Sequence, residues 1–293
     1  MMNDFWIILV GALVACSCSV VGCFLVIRKI AMVGDAISHS VLPGIVLAFL
    51  WSGSRESILI LMGAALLGLV TVFLIQLFQN SGVQGDAAIG VVFTSLFTIG
   101  VLLVSLYTQQ IDFDLDHVLY GEIAYTPWHT MTVAGMDMGP RAVWIVGGSF
   151  FINIVLVFVF FKQFKICSFD AALAAAMGIP VMFFHYLLMS LVSVTTVAAF
   201  DSVGAILVVG MLIIPAATAY LLTDQLHRMI IISMVMGILS SVVGYYVATA
   251  LDASISGCMV CAAALFFALA FLFSPSHGLI SRIWRRKVSF KSI

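Results

Sequence analysis

The sequence predicts an all-α, polytopic membrane protein with eight or nine transmembrane helices. Of its 293 residues, 63% are hydrophobic and only 9% are charged, whereas a soluble domain carries roughly 25% charged residues. Apolar runs of about 20 residues, the length that crosses a bilayer, recur along the chain. We expect one transmembrane domain over residues 1–293. The net charge of −1 argues against nucleic acid as a partner.

Eight apolar stretches have spanning length, and helices are the structure that satisfies their backbone groups in lipid. These stretches are 5–27, 56–79, 86–106, 141–161, 181–199, 203–222, 229–250 and 255–273. A ninth, 36–50, is shorter and contains Pro43 and Gly44. It spans as part of a helix that begins near Ile30, or it forms a broken or re-entrant segment.

The basic residues predict the orientation. Five of them lie near the C-terminus, which is therefore expected in the cytoplasm: Arg282, Arg285, Arg286, Lys287 and Lys291. Counting back four spans places the loop 162–180 on the same side, and one more places 107–140 outside. That outer loop contains several Asp and Glu residues and no Lys or Arg. Nine spans put the N-terminus outside, whereas eight put it inside.

Asp35 and His39 are the candidate metal ligands. They are four residues apart within an apolar chain, so a helix places both on one face. Ionisable side chains are costly in hydrocarbon and mark functional sites there. A carboxylate and an imidazole suit Mn²⁺, Fe²⁺ or Zn²⁺. The alternative is a structural hydrogen bond between the two side chains.

Two ligands cannot hold an ion alone. A second copy of the pair across a two-fold axis would supply four ligands, so we expect a dimer of identical or related permeases. The metal is then the transported substrate, and no permanently bound cofactor is expected. Pro43 and Gly44 are expected to free backbone groups or bend the chain near this site.

A short cytoplasmic helix is predicted between the spans that end near 161 and begin near 181. Ser168 or Asp170 can cap its start, the alanines that follow favour helix, and Gly178 can end it before Pro180. Two turns are too few to cross a membrane.

Phe169, Leu173 and Met177 form an apolar stripe along this segment, because they are spaced by four residues. The stripe predicts a docking surface for another protein, and the alternative is a helix that lies against the membrane.

No Gly-x-x-x-x-Gly-Lys-Ser/Thr loop, the motif that binds the phosphates of ATP, is present, since none of the five lysines follows a glycine. Any ATP hydrolysis must therefore come from a partner subunit, and the chain itself is not expected to be an enzyme.

Three further ionisable residues lie in or near the spans. His185 is either a satisfied core histidine or part of a pathway, and the first interpretation is favoured. Asp201 and Asp252 lie near outer helix ends, where capping of the next helix is favoured over lining a pathway.

Two other protein classes are less consistent with the sequence. An ion-coupled secondary transporter needs no coupling helix, and a membrane metalloprotease would need His-Glu-x-x-His, which is absent.

Four segments, in order, resemble the permease subunits of the ABC importers for zinc, manganese and iron. Residues 34–44, Gly-Asp-Ala-Ile-Ser-His-Ser-Val-Leu-Pro-Gly, resemble the family's signature, and 168–180 resemble its coupling segment. Residues 203–219 resemble its late helix motif. Residues 273–278 resemble its C-terminal end, with His277 where a basic residue is more usual. Residues 220–226 look closer to the manganese and iron branch.

This resemblance implies a multi-pass permease of the bacterial cytoplasmic membrane that imports a divalent ion by alternating access. Mn²⁺ is the expected substrate, with Zn²⁺ or Fe²⁺ as alternatives. The implied partners are an extracytoplasmic metal-binding protein, a second permease and an ATP-binding subunit. By position, Asp35 and His39 would be the pathway ligands or gate, and 168–179 the coupling helix. No metal role is carried over to Asp201 or Asp252.

Overall fold

The computed structural model describes residues 2–52, 58–107, 123–128, 130–133 and 136–274. The acidic residues 112–122, His277 and the basic C-terminal run lie outside the described residues. The first half contains α1 (Met2–Ile27), α2 (Met32–Ser40), α3 (Leu42–Ser52), α4 (Ile58–Asn80) and α5 (Gly85–Tyr107). A 3₁₀ helix (Ile123–Trp128) and an antiparallel hairpin of β1 (Thr130–Val133) and β2 (Met136–Pro140) follow.

The second half is again helical. It contains α6 (Arg141–Val159), α7 (Phe161–Phe169), α8 (Ala171–Ala176), α9 (Val181–Val203), α10 (Ala205–Leu222), α11 (Leu226–Leu251) and α12 (Ile255–Phe273). The predicted all-α class is confirmed, and the small hairpin within 107–140 is an addition that the sequence did not predict. Within the described ranges, nine helical segments are long and apolar enough to cross a membrane.

The uncertain second span is one of these nine, Met32–Ser52, formed by α2 and α3 together. Val41 alone separates the two helices and keeps helical torsion angles (φ −75°, ψ −15°). Pro43 falls in the first turn of α3, where the missing N–H costs no bond within that helix. The chain therefore continues as a two-part span and the re-entrant alternative is not observed.

Close contacts between helix backbones hold the bundle together, and small residues permit them. A Cβ added at Gly22 of α1 would lie 2.0 Å from the carbonyl oxygen of Leu212 in α10. A Cβ added at Gly44 of α3 would lie 2.5 Å from the carbonyl oxygen of Gly63 in α4. Backbones in direct contact leave no room for a side chain, so these glycines set the spacing of the helices.

The bundle has two distinct ends. The Ser274 hydroxyl, just after α12, donates to the carbonyl of Leu221 near the end of α10. Arg28, just after α1, contacts Ser168 in α7. The helix order places these residues, together with α8, at one end and the β-hairpin at the other. That this first end faces the cytoplasm stays a prediction from the basic residues.

Candidate functional site

The α2 helix carries the predicted ligands on its one accessible face. Its other described positions are mostly buried, namely Val33, Gly34, Ala36, Ile37, Ser38 and Ser40. By contrast, 36% of the Asp35 side chain and 29% of the His39 side chain are exposed. The pair therefore lies on the accessible side of a mostly buried helix and not in the packed core.

The two side chains lie a helical turn apart, as their spacing predicted. The Asp35 Oδ1 atom is 3.6 Å from the His39 Nε2 atom. This distance is too long for a hydrogen bond between the two, so the structural-bond alternative does not describe this arrangement. A cation about 2.1 Å from each ligand atom fits between two atoms at this separation.

Phe93 and Phe97 of α5 flank the imidazole. The His39 ring centroid lies 5.6 Å from that of Phe93, and it lies 6.2 Å from that of Phe97 in an edge-to-face arrangement. These neighbours were missed by the sequence reasoning. The only signal was their own spacing of four residues, which is common in apolar helices. Their rings limit the rotamers of His39 and shield one side of the site.

Contacts on the buried face of α2 also fix its position. The Ser40 hydroxyl lies 2.7 Å from the Thr71 hydroxyl of α4. Gly34 faces Leu212 of α10, where a Cβ would collide with the leucine side chain. Contacts to α4, α5 and α10 thus surround α2 and hold the ligand pair in place.

The predicted ligand pair is too small to hold a metal ion by itself. The described residues contain no group of three or more His, Cys, Asp or Glu side chains that could hold a metal ion. Pro43 has no N–H to donate to the carbonyl of His39, four residues earlier, which is the local backbone effect that the sequence suggested. Completion of the ligand set by a second permease stays a prediction.

The predicted cytoplasmic helix is present as α8, with the predicted cap. The Asp170 carboxylate accepts a hydrogen bond of 2.9 Å from the backbone N–H of Leu173. At the other end, Gly178 has φ +79°, and the N–H groups of Gly178 and Ile179 donate to the carbonyls of Ala175 and Ala174. This is the Schellman pattern that glycine permits.

The start of this helix differs from the expectation. Ser168 and Phe169 belong to α7, and α8 begins only after Asp170. Ser168 is not a cap, because its hydroxyl donates to the carbonyl of Phe164 and accepts from Arg28. The contact with Arg28 joins residues 140 positions apart, so no local sequence pattern indicates it.

The three residues of the apolar stripe are exposed, but they do not form one helix face. Phe169 ends α7, and the extended backbone of Asp170 interrupts the helix before Leu173. The exposed fractions are 59% for Phe169, 52% for Leu173 and 61% for Met177. Ala174 is fully buried against the rest of the chain and is the one buried residue of α8. The rest of this short helix, including Leu173, is exposed.

The remaining ionisable residues are not gathered at the Asp35–His39 pair. His185 lines a small cleft with Gln76 and Gln79 near the end of the bundle that carries α8. Asp252 ends α11 with a left-handed backbone (φ +51°), and Ser254 instead caps α12. Asp201 lies within α9, and Gly204 precedes α10. The capping prediction for Asp252 was therefore wrong, whereas that for Asp201 stays a prediction.

Comparisons with known proteins agree with this architecture. The model of the ABC 3 transport family matches residues 2–274. The manganese transport system membrane protein MntD of Bacillus subtilis is 54% identical over 282 residues, 96% of each chain. The zinc transport system membrane protein TroD of Treponema pallidum is 40% identical over 277 residues, 94% of this chain and 75% of that one.

A solved structure is similar over nearly the whole chain. PsaBC from Streptococcus pneumoniae, in complex with Fab, has a TM-score of 0.79 at 35% identity, and the match covers 96% of this chain and 94% of that one. Fold, motif order and sequence similarity lead to the same assignment. The chain therefore belongs to the ABC 3 transport family.

Proposed function

We propose that the chain is the membrane-spanning permease subunit of an ATP-driven importer for a divalent transition-metal ion, Mn²⁺ in the first place. The observation that carries this proposal is the exposed Asp35–His39 pair on an otherwise buried helix. A relative named for manganese transport is 54% identical, against 40% for one named for zinc. The ligand types are also compatible with Zn²⁺ and Fe²⁺.

The ion would pass between two permeases. Each chain contributes one carboxylate and one imidazole, so a pair related by two-fold symmetry supplies four ligands. An extracytoplasmic binding protein delivers the ion, and the ligands hold it only briefly, because conduction needs binding weak enough to permit release. The match to PsaBC supports a permease pair of this kind.

Energy would enter through α8. The stripe of Phe169, Leu173 and Met177, which runs from the end of α7 to the end of α8, is the surface on which a separate ATP-binding subunit docks. Ser168, Asp170 and Gly178 shape this segment. ATP binding closes the partner subunits and moves α8, and the spans rock so that the route changes the side to which it opens. An ion-coupled secondary transporter would have no use for this exposed stripe, and the family assignment does not favour it.

The first test concerns the ligands. The Asp35→Ala, His39→Ala double variant is expected to lower uptake of radioactive Mn²⁺ by at least about tenfold, since both ligands of the half site are lost. The matched control is Ser38→Ala, on the same helix, whose buried hydroxyl bonds only to its own helix turn in the described structure. Unchanged uptake in the double variant, at equal membrane abundance, contradicts the proposal. Competition by Zn²⁺ and Fe²⁺ in the parent ranks the three metals.

The second test concerns the motor. Leu173→Asp places a charge on the apolar stripe and is expected to abolish co-purification of the ATP-binding subunit, because a buried unpaired charge is costly at an interface. Ala172→Asp adds the same charge to the same helix beside the stripe and is expected to retain the partner. Equal retention by both variants would show that the stripe is not the docking surface.

A further inference from the structure

Two contacts join the end of α1 to α7. The ring centroids of Phe24 and Phe164 lie 5.6 Å apart, and both side chains are fully buried. One helical turn further along each helix, the Arg28 Nε atom lies 2.9 Å from the Ser168 Oγ atom. The two helices are therefore opposed over a full turn, by an aromatic contact followed by a polar one.

The polar contact has a defined direction. The Ser168 hydroxyl donates to the carbonyl of Phe164 at 2.7 Å, so its proton points back along α7. Its lone pairs are left to accept from the guanidinium of Arg28. A hydrogen bond with a charged donor is stronger than one between neutral groups.

On one side, this contact is connected closely to the apolar stripe. Only Asp170 separates α7 from α8, and its N–H donates to the carbonyl of Ile166 at 2.9 Å. Phe169, the first residue of the stripe, directly follows Ser168. A displacement of α8 thus reaches Ser168 through hydrogen-bonded backbone and no flexible linker.

On the other side, the contact is connected closely to α2. Lys29 has a left-handed backbone (φ +58°), and its N–H and that of Ile30 donate to the carbonyls of Val26 and Leu25. This closes α1 in a Schellman turn. The N–H of Val33 donates in turn to the carbonyl of Ile30, so the path from Arg28 to Asp35 is a hydrogen-bonded elbow.

Arg28 is incompletely satisfied in this conformation. Its Nη2 atom is buried and finds no hydrogen-bond acceptor among the residues that the structure describes. Burial lowers the pKa of Arg28, although a guanidinium keeps its charge in proteins. An unsatisfied buried donor carries a free-energy penalty, and a conformation that offers it an acceptor would be favoured.

We infer that Arg28 is a positioning residue that transmits the movement of the coupling segment to α2, and so to Asp35 and His39. The inference rests on the proposed function. The Arg28–Ser168 hydrogen bond and the Phe24–Phe164 contact move α1 and the following elbow together with α7. Arg28 touches neither the ion nor ATP, and its role is to keep hydrolysis coupled to transport.

The experiment measures Mn²⁺ transported per ATP hydrolysed by the full complex, with its ATP-binding subunit and binding protein, in liposomes. Arg28→Met keeps the length of the side chain but removes the donors. We expect it to retain the ATP-binding subunit and ATP hydrolysis while the Mn²⁺-to-ATP ratio falls by about tenfold. Lys162→Met, which removes an equivalent charge from an exposed position of α7, is the control and should leave the ratio unchanged.

A second, milder variant protects the test against misfolding. Ser168→Ala removes only the acceptor and is expected to lower the ratio as well. Its control is Ser190→Ala, because the Ser190 hydroxyl also donates to the carbonyl four residues earlier but lies in α9. If the two groups act through one contact, the double variant of Arg28 and Ser168 should lose no more than Arg28→Met alone.

Three outcomes would overturn the inference. These are an unchanged ratio in both single variants, losses that simply add in the double variant, and a loss of the ATP-binding subunit large enough to explain the reduced transport. Failure of the proposed function itself is distinguishable. It would appear in the unaltered chain, as a complex that carries no Mn²⁺ or retains no ATP-binding subunit.

Discussion

Phe93 and Phe97 show how single residues shape the open side of α2. They pack beside the His39 ring, the latter edge-to-face, and such a pair contributes about 0.5–1.5 kcal/mol beyond its buried area. The two rings restrict the orientation of the imidazole. If His39 binds the ion as proposed, this restriction would reduce the conformational entropy that it loses on binding.

Phe97→Leu tests this role, because it removes the ring but keeps an apolar side chain. We expect the concentration of Mn²⁺ that gives half-maximal uptake to rise by about fivefold, the equivalent of about 1 kcal/mol. Uptake measured across a range of Mn²⁺ concentrations checks this. Phe158→Leu, at a highly exposed position of α6, is the control. Identical half-maximal concentrations for both variants would show that Phe97 does not orient His39.

Gly44 is the second residue whose effect can be predicted. A methyl group there would lie 2.5 Å from a backbone oxygen of α4, so Gly44→Ala must push two helices apart. Such overpacking costs about 1–3 kcal/mol. We expect a lower melting temperature in detergent. Gly147→Ala in α6, where a Cβ meets nothing within 4 Å, should stabilise by up to about 1 kcal/mol. If Gly44→Ala and Gly147→Ala changed the melting temperature in the same direction, the packing argument would be refuted.

At the scale of the element, α8 was predictable because its signals are local. An N-cap at Asp170, a run of alanines and a glycine at the end are all visible within ten residues of sequence. The start was misplaced by a few residues, since Ser168 is occupied by Arg28 from the far side of the chain. The contact of α5 with His39 was also missed, because it too joins residues that are distant in the sequence. Long-range contacts of this kind follow from the packing of the helices and leave no periodic signal.

The cap of α8 gives a prediction about the whole element. Asp170→Ala removes the acceptor for the Leu173 N–H and should destabilise the helix by about 1 kcal/mol. In a helix of six residues, this loss should disorder the first turn and displace Leu173. We expect reduced co-purification of the ATP-binding subunit. Asp170→Asn, which ranks equally as a cap, should preserve it. If Asp170→Asn lowered co-purification as much as Asp170→Ala, the charge of Asp170 would matter rather than its capping hydrogen bond.

At the scale of the whole molecule, the chain is a multi-pass protein of the bacterial cytoplasmic membrane, as its family and nine candidate spans in the described residues show. The sequence predicted the class and eight of the spans because hydrocarbon imposes length and apolarity on each. The span 32–52 stayed ambiguous, since Pro43 is compatible with both a two-part helix and a re-entrant turn. Only its packing against α4, α5 and α10 decides between them.

The orientation predicts opposite reactivity at the two ends of the bundle. With a cytoplasmic C-terminus, Met177→Cys faces the cytoplasm and Trp128→Cys the outside; both positions are exposed. A membrane-impermeant maleimide applied to intact cells should label Trp128→Cys. It should label Met177→Cys only after permeabilisation. The unaltered chain, with its six native cysteines, gives the background. The reverse pattern would invert the assigned topology.

The stripe of Phe169, Leu173 and Met177 also bears on how the protein survives in a cell. In a copy without a partner on this surface, three large apolar side chains are exposed to water, and such patches attract chaperones and proteases. If the stripe docks an ATP-binding subunit as proposed, the same surface would expose unassembled chains to degradation.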